Sequence, residues 1–230
     1  MFAAAALVVA TPAAAASFGI EASTDLRRHG LSWSDGKPAI EAWGSLPLGS
    51  GISVEAGAAT LRESPRHGGA DLLGEAALRL TRQVGRWTLW GEVQGVGFFG
   101  AANQNYGQLR GGAALGIGPA QLSAQAAWAP LQQSIGGSNI YLGGRASLGV
   151  PGTPLTLGAA IGRSMGSDDG SGRANRLRPG GDYTDFRLDA DYVVGPMTLG
   201  ASFTTTTIDQ GHRAAANSGT RLLLRAGLDF

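Results

Sequence analysis

Apolar and polar residues alternate along most of this chain in segments of about ten residues, a period of two that is typical of half-buried β-strands. In the last segment Leu222, Leu224 and Leu228 share one face, while Arg221 and Arg225 share the other. The pattern predicts about twelve strands, an even number as in bacterial single-chain barrels. They are residues 18–26, 39–46, 52–61, 72–82, 87–98, 108–117, 121–129, 140–150, 155–163, 182–194, 197–207 and 219–230.

The joints between these segments alternate in length along the chain. The short joints are residues 47–51, 83–86, 118–120, 151–154 and 195–196, and each contains the glycine or proline that a tight reversal needs. The long, polar joints are residues 27–38, 62–71, 99–107, 130–139, 164–181 and 208–218. Short turns at one end and long loops at the other are typical of an outer-membrane barrel, with periplasmic turns and extracellular loops.

The charged residues stay on one face of the strands that carry several of them. A basic side chain that faces lipid at the bilayer midplane costs about 2–4 kcal/mol, and an open sheet edge is excluded in hydrocarbon. The predicted fold is therefore an all-β, closed antiparallel transmembrane barrel. Arg62, Arg82 and Arg163 break the alternation near strand ends. Trp43 and Trp90 fall on the inward face, so that either they fill the interior or their strands are bulged or shifted.

The first sixteen residues differ from the rest of the chain. They are apolar and end in an A-x-A pattern at Ala14–Ala16, which predicts a secretory signal peptide in residues 1–16 and a barrel in residues 17–230. The expected location is the bacterial outer membrane. A net charge of +1 gives no sign of a nucleic-acid partner, and the absence of cysteine is compatible with export.

Charges on the predicted inward face are the candidate functional residues. Acidic residues dominate the first five strands and basic residues the later ones, and walls of opposite charge would create a transverse field across a lumen. The alternative is a plug of salt bridges that conducts nothing. The candidate pore-lining residues are Glu21, Asp25, Glu41, Glu55, Glu75, Arg79, Glu92, Arg110, Arg145, Asp185, Arg187, Asp189, Asp191, Arg221 and Arg225.

The loop after the first predicted strand carries a family resemblance. The segment from Asp25 to Ala39 resembles the N-terminal signature of the TorF-type porins, also labelled Gcw_chp, in which the first strand leads into a Y-R-F-R-G-x-S-x-S-D-G-x-P-A-like run. Leu26 and His29 replace the usual aromatic residues. The matching positions are Arg28, Gly30, Ser32, Ser34, Asp35, Gly36, Pro38 and Ala39. The resemblance implies an outer-membrane barrel that is regarded as a porin.

The C-terminal residue Phe230 follows apolar residues at every second position. This arrangement resembles the signal that the barrel-assembly machinery reads, although an amphipathic last strand that merely ends in an aromatic residue would look the same.

The chemistry-bearing residues outside the strands favour no cofactor and no metal. His29, His67 and His212 fall in predicted outer loops, where solvated histidines are expected, and Asp168-Asp169-Gly170 is interpreted as a turn. The outer-loop arginines suit either the phosphates of lipopolysaccharide or ordinary solvation. They are Arg27, Arg28, Arg66, Arg173, Arg176, Arg178 and Arg213.

The function predicted from the sequence is passive diffusion of small hydrophilic solutes, without catalysis. One alternative is a non-conducting structural or surface-interaction barrel. Another is a barrel lipid hydrolase, which needs a histidine paired with a serine on a strand, whereas the next serine after His29 is Ser32 in the same loop. The expected partners are outer-membrane lipid and lipopolysaccharide, the barrel-assembly machinery and small polar solutes.

Overall fold

The structure, a computed structural model, describes residues 16–209, 211 and 216–230. The predicted signal peptide, except for Ala16, lies outside the described residues, as do His212 and Arg213. The division of the chain into a signal peptide and a barrel therefore stays a prediction.

The described residues form twelve long antiparallel strands that close into a barrel, and two very short strands that pair with each other. Most of the long strands alternate in exposure from residue to residue along much of their length, as the sequence pattern predicts. The strands are β1 Ser17–Ser23, β2 Arg27–Arg28, β3 Leu31–Ser32, β4 Ala39–Gly49, β5 Ile52–Ser64, β6 Ala70–Val84, β7 Trp87–Phe99, β8 Tyr106–Ile117, β9 Ala120–Gln132, β10 Gly137–Gly149, β11 Leu155–Met165, β12 Tyr183–Val194, β13 Met197–Thr206 and β14 Arg221–Asp229.

The barrel closes where β1 pairs with β4 on one side and with β14 on the other. Ile20 of β1 faces Ala42 on one neighbour and Leu228 on the other. The seam is completed by Phe18 and Phe230, whose backbone groups exchange hydrogen bonds of 3.1 and 2.9 Å and whose rings stack at 4.8 Å. Each of the other long strands pairs with its neighbours in sequence, so the predicted closed antiparallel barrel is confirmed.

The two ends of the barrel differ as the joint lengths predict. At one end, which we call the short-turn end, β6 reverses into β7 and β12 into β13 through two residues each, with Gly85 and Gly195 at φ of 60° and 58°. Glycine adopts this left-handed conformation without the steric cost that a side chain would impose. At the other end, the long-loop end, the connections are longer and include three short 3-10 turns.

The outer face of the wall is apolar. Leu222, Leu224 and Leu188 are more than half exposed on it, while Arg225 and Arg187 of the same strands are partly buried on the inner face. Trp43 and Trp90 also point inward, and the strand register continues without a shift at either residue. The first interpretation of these tryptophans is therefore correct: they fill the interior.

Two strand predictions were wrong at the long-loop end. The first strand was expected to reach Leu26 but ends at Ser23, because Asp25 and Leu26 turn into the barrel and become buried. In β5 the alternation fails because the register shifts between Thr60 and Ser64, where Arg62 and Glu63 have positive φ angles of 58° and 57°. This bulge brings Arg62 to the exposed side, where its Nε donates to the carbonyl oxygen of Pro38.

Within the described ranges, the structure has no helix long and apolar enough to span a membrane.

Candidate functional site in the barrel lumen

The connection from β1 to β4, residues 24–38, folds into the barrel instead of away from it; we call it the inner loop. Its short hairpin of β2 and β3 turns at His29 and Gly30, which have positive φ angles of 50° and 75°. This pair of left-handed residues is the geometry of a type I′ turn, for which glycine is favoured. The sequence therefore encodes a tight inward hairpin where a long external loop was expected.

The inner loop is fixed to opposite parts of the wall. Arg28 pairs with Glu41 of β4 and, at 3.3 Å, with Glu75 of β6. Across the lumen, the His29 ring stacks on Tyr141 of β10 with 3.5 Å between ring centroids, and the hydroxyl of Tyr183 of β12 donates to the carbonyl oxygen of His29 at 2.9 Å. The hairpin therefore bridges the lumen from β4 and β6 to β10 and β12.

Asp25 organises the inner loop from within. Its Oδ1 accepts hydrogen bonds from the hydroxyls of Ser32 and Ser34 at 2.5 and 3.0 Å, and its Oδ2 accepts from Nε of Arg27 at 2.8 Å. Nη1 of Arg27 also donates to the hydroxyl of Thr204 on β13 at 3.1 Å. Asp25 is thus an internal group of the hairpin and not a strand residue facing a pore, which corrects its predicted role.

An apolar core fills the long-loop half of the barrel around this hairpin. Leu31 and Trp33 of the inner loop pack there with inward side chains of several strands, and the rings of Trp33 and Phe98 lie 5.8 Å apart. The core residues are Leu26, Leu31, Trp33, Ala39, Ala59, Leu61, Ala70, Leu73, Val96, Phe98, Tyr106, Ala129, Ile135, Tyr183 and Ile208. The core and the inner loop therefore leave only a narrow space in the long-loop half of the lumen.

The prediction that the histidines are solvated in outer loops was wrong for both histidines that the structure describes. His67 is completely buried between the rings of Trp33 and Phe98, and His29 is partly buried in the lumen. Burial, together with the positive charges of Arg176 and Arg66, holds the pKa of His67 well below its ordinary value. At neutral pH His67 is therefore an uncharged member of the core.

Most of the outer-loop arginines are structural, which corrects the expectation of solvation or lipopolysaccharide contact. Arg27 and Arg28 lie inside the barrel. Nε of Arg66 donates to Ser32 of the inner loop at 2.9 Å, Nη1 of Arg176 donates to Gln104 at 3.0 Å, and Arg178 binds the carbonyl oxygens of Gly166 and Ser138. These guanidinium groups connect separate loops to one another and to the inner loop. Arg173 remains exposed, and it donates to the carbonyl oxygen of Gln133.

Below the inner loop, the short-turn half of the barrel contains a cavity of about 330 Å³ with many charged and polar lining residues, which we call the lumen cavity. Its lining includes five arginines, three carboxylates and the two inward tryptophans. The lining residues are Glu21, Trp43, Arg79, Trp90, Arg110, Ala114, Gln121, Ser123, Ala124, Gln125, Arg145, Arg187, Asp191, Thr198, Arg225, Gly227 and Asp229. A smaller cavity of about 70 Å³ continues past Arg145 and Arg187 to His29 and Tyr141.

The predicted pore-lining residues on the strands lie on the inner face of the wall, and all but one of them are at least partly buried. Glu41 and Glu75 are covered by Arg28, and Asp185 lies beside Tyr141 near the hairpin tip. Arg221 is exposed near the long-loop rim beside Asn217. The residues that are at least partly buried are Glu21, Glu41, Glu55, Glu75, Arg79, Glu92, Arg110, Arg145, Asp185, Arg187, Asp189, Asp191 and Arg225.

Carboxylates and guanidinium groups pair along the wall instead of facing each other across the lumen. Arg79 binds Glu55 at 3.1 Å and Glu92 at 2.6 Å, and Arg110 binds the same Glu92 at 2.9 Å. We call Arg79, Glu92 and Arg110 the Glu92 cluster, which spans β6 to β8. The expected division into an acidic and a basic wall is therefore wrong, because most of these charges pair with opposite charges on nearby strands or on the inner loop.

A second group of inward charges also consists of two arginines and one carboxylate. Arg145 of β10 and Arg187 of β12 both pair with Asp189 of β12, and Arg225 approaches it at 3.8 Å. We call Arg145, Arg187 and Asp189 the Asp189 cluster. The hydroxyl of Ser202 on β13 donates to Asp189 at 2.8 Å and fixes the buried carboxylate from its other side.

The sequence analysis did not identify the neutral residues that hold the hairpin tip and the inward carboxylates in place. Tyr141 and Tyr183 hold the hairpin tip, and Gln94, which is fully buried, accepts a hydrogen bond from Gln108 at 2.6 Å and donates to Glu75 at 3.4 Å. The alternation pattern could have placed these polar and aromatic residues on the inner face of their strands. It gives no information on the path of the inner loop that they contact.

The described residues contain no group of three or more histidine, cysteine or acidic side chains that could hold a metal ion. The histidine hydrogen bonds found there join His67 to Arg176 and the backbone of His29 to Tyr183, and neither pairs a histidine with a serine.

Comparison with solved structures finds porins of the same architecture. The KdgM porin gives a TM-score of 0.62 at 6% sequence identity, covering 93% of this chain and 98% of that chain. The NanC porin gives a TM-score of 0.61 at 9% identity, with 93% and 98% covered. The KdgM porin in complex with disordered oligogalacturonate gives 0.60 at 7% identity, with 94% and 98% covered. At these identities the likeness shows a shared fold.

No curated protein matches the sequence. A family model described as "Bacterial protein of unknown function (Gcw_chp)" matches residues 9–225, which is most of the chain. The match confirms the Gcw_chp part of the resemblance in the first loop, and this chain belongs to the Gcw_chp family.

Proposed function

We propose that this protein is a porin-type channel of a bacterial outer membrane, through which small hydrophilic solutes diffuse passively. The observation that carries the proposal is the polar lumen cavity inside a closed barrel with an apolar outer face. In a bilayer such a lumen replaces hydrocarbon with water and polar groups, which lowers the barrier to a hydrated solute without any bond being made or broken.

The orientation of the barrel follows from the lengths of its connections. We assign the short-turn end to the periplasm and the long-loop end to the cell exterior, as in other barrels of this type. The lumen cavity then opens toward the periplasm, and the inner loop lies between it and the exterior. The predicted secretory signal and the terminal Phe230 as an assembly signal are part of the same proposal.

The inner loop is the constriction of the proposed channel. It bridges opposite walls through Arg28 and His29, and the cavity beside it is much smaller than the lumen cavity below. A solute crossing the barrel must pass between the hairpin and β10 to β12, where Tyr141, Asp185 and Arg187 provide polar groups. We expect this passage to restrict transport to the smallest polar solutes.

Structural similarity to porins supports the proposal, and one of those porins is described in complex with a polar saccharide, oligogalacturonate. The TorF-type porin label that the sequence resembles is consistent with the same activity. These neighbours are porins and not enzymes, which also favours a channel over a lipid hydrolase.

The experiment is a liposome swelling assay with purified protein in iso-osmotic arabinose, glucose, sucrose and raffinose. We expect swelling in arabinose well above that of protein-free liposomes, and a rate that falls steeply with sugar size because of the constriction. Protein confirmed as folded that gives no swelling above the protein-free control in arabinose contradicts the proposal.

A second candidate is the non-conducting structural barrel. The observation that favours it is the apolar core around Leu31, Trp33 and Phe98, which fills most of the long-loop half. The swelling assay separates the two, since this candidate predicts no sugar entry at any size.

A further inference from the structure

The Glu92 and Asp189 clusters each place two arginines on one carboxylate, and the carboxylate is the buried member. The side chain of Glu92 is 1% exposed, while Arg79 and Arg110 above it are 25% and 12% exposed. Asp189 is fully buried, while Arg145 and Arg187 are 21% and 18% exposed. Each carboxylate therefore binds its two guanidinium groups from the side of the wall. The surface that a solute meets in each cluster is formed by the guanidinium groups and is basic.

The two clusters line the same cavity on either side of one strand. Arg79 and Arg110 come from β6 and β8, Arg145 and Arg187 from β10 and β12, and all four line the lumen cavity. Between them β9 contributes only the neutral side chains of Gln121, Ser123 and Gln125 to this lining, apart from Ala124. With Arg225, five arginines face three lining carboxylates, which are Glu21, Asp191 and Asp229.

Guanidinium groups bind carboxylates in a planar, two-pronged geometry and remain charged throughout the physiological pH range. In these clusters the exposed guanidinium groups lie nearer to a solute in the cavity than the buried carboxylates do, and this arrangement favours small anions over cations. We propose that the lumen cavity is a binding and selectivity site for small organic anions that carry a carboxylate, held between the Glu92 and Asp189 clusters. This inference rests on the proposed function, because it assigns a solute class to the proposed channel.

Trp90 provides a spectroscopic reporter in this site. The guanidinium carbon of Arg79 lies 4.6 Å from the centre of its ring and that of Arg110 lies 5.8 Å away. An anion that binds these guanidinium groups weakens their attraction to the ring and changes the polarity around the indole. Anion binding at the Glu92 cluster therefore changes the fluorescence of Trp90, and this measurement needs no current through the barrel.

The experiment is a fluorescence titration of the detergent-solubilised protein with glucuronate, compared with glucose. These two sugars share a ring, and only glucuronate carries the carboxylate. We expect a saturable response to glucuronate, no response to glucose, and loss of the glucuronate response in Trp90→Phe. A response of equal size to both sugars, or none to glucuronate, overturns the proposal.

The variants act on the Asp189 cluster, so the surroundings of the reporter stay intact. Arg145→Gln and Arg187→Gln are combined with Asp189→Asn, because the carboxylate alone would be a buried, unpaired charge. We expect the triple variant to bind glucuronate at least about tenfold more weakly, since it loses charge-assisted hydrogen bonds. Arg82→Gln, an exposed position on β6 outside the cavity lining, is the matched control and should titrate as the unmodified protein does. Equal affinity of the triple variant and the control overturns the proposal.

A second measurement separates this inference from the channel proposal and does not depend on any variant. In a planar bilayer with a KCl gradient, we expect a reversal potential of the sign that indicates chloride preference. A barrel that passes solutes but prefers potassium contradicts the anion site alone. A barrel that binds glucuronate but passes neither sugars nor ions contradicts the channel alone.

Discussion

Asp25 shows how a single buried carboxylate can direct the path of a whole loop. It lies two residues past the end of β1 and accepts hydrogen bonds from Arg27, Ser32 and Ser34, which come from both halves of the inner hairpin. Since Asp25 and Arg27 are both buried, each depends on the other to offset the loss of hydration.

We expect Asp25→Asn to lower the free energy of unfolding by about 1.5–3 kcal/mol, the range for a hydrogen bond to a charged group. Urea unfolding in detergent micelles measures the change. Asp168→Asn in an exposed outer loop is the control, and it should change stability by less than about 0.5 kcal/mol. Equal stabilities of the two variants would mean that Asp25 does not organise the loop.

Burial of His67 makes the stability of the folded protein depend on pH. Its pKa in the folded protein is well below the ordinary value of 6.5, chiefly because burial disfavours the charged form. The unfolded chain binds a proton there at higher pH than the folded chain does. The stability contributed by the neutral ring is therefore complete above about pH 6.5 and is lost as the pH falls further.

We expect the free energy of unfolding to fall by about 1.4 kcal/mol per pH unit below pH 6.5 through this one group. His67→Gln should remove that part of the slope. The measurement is urea unfolding at pH 7, 6 and 5 for both proteins. Parallel curves for the two proteins across this range would contradict the assignment.

At the residue scale, the sequence predicted which charges face inward but not their partners. Arg28 pairs with Glu41 and Glu75, which lie 13 and 47 residues away along the chain. The alternation of apolar and polar residues shows which face of the sheet each strand side chain is on. The direction of a loop side chain such as Arg28 cannot be predicted until the path of the loop is known. His67 was misplaced for the same reason.

At the scale of elements, inward aromatic residues are accommodated by glycines on the neighbouring strand. Trp90 of β7 lies beside Gly112 of β8, where an added Cβ atom would approach the indole nitrogen to 2.8 Å and the carbonyl oxygen of Ala124 to 2.6 Å. Trp43 of β4 and Gly19 of β1 form a second pair of this kind. The glycines therefore let the tryptophan rings lie flat along the wall.

We expect Gly112→Ala to destabilise the barrel by about 1–3 kcal/mol, since the added methyl group must displace the indole or the neighbouring strand. Trp90 fluorescence should change with it. Gly116→Ala is the matched control on the same strand and the same face, with nothing within 4 Å of the added atom. Unfolding and emission spectra measure both effects, and a Gly112→Ala protein indistinguishable from the Gly116→Ala protein would rule out this packing.

The strands were predictable because their signal is local and repeated. Twelve alternating segments gave the long strands with small errors at the ends, and the glycine and proline joints gave the short turns. The bulge at Arg62 and the early end of β1 at Ser23 were not predictable, since both depend on contacts with the inner loop. The first loop carried a partial signal in its apolar residues Leu26, Leu31 and Trp33, which a solvated loop would not need.

At the scale of the whole molecule, the lumen has a narrow half and a wider half. The inner loop and the apolar core occupy the long-loop half, and the lumen cavity occupies the short-turn half. The wall forms the closed barrel, and in the proposed channel the inner loop limits the passage of solutes. The central claim is therefore that the inner loop is the constriction of a channel.

Single-channel recording in a planar bilayer tests this claim most directly. The informative variant combines Arg28→Ser, His29→Ser and Leu31→Ser, which removes the side-chain contacts of the hairpin with β4, β6 and β10 and one of its apolar contacts while keeping its length. Asp168→Ser combined with Asp169→Ser, in an exposed outer loop, is the control.

We predict small current steps for the unmodified protein and the control, and steps several-fold larger for the inner-loop variant, because the loosened hairpin narrows the path to the lumen cavity less. Heat-modifiable migration on gels establishes that each barrel is folded. A folded inner-loop variant with the same conductance as the unmodified protein would contradict the claim.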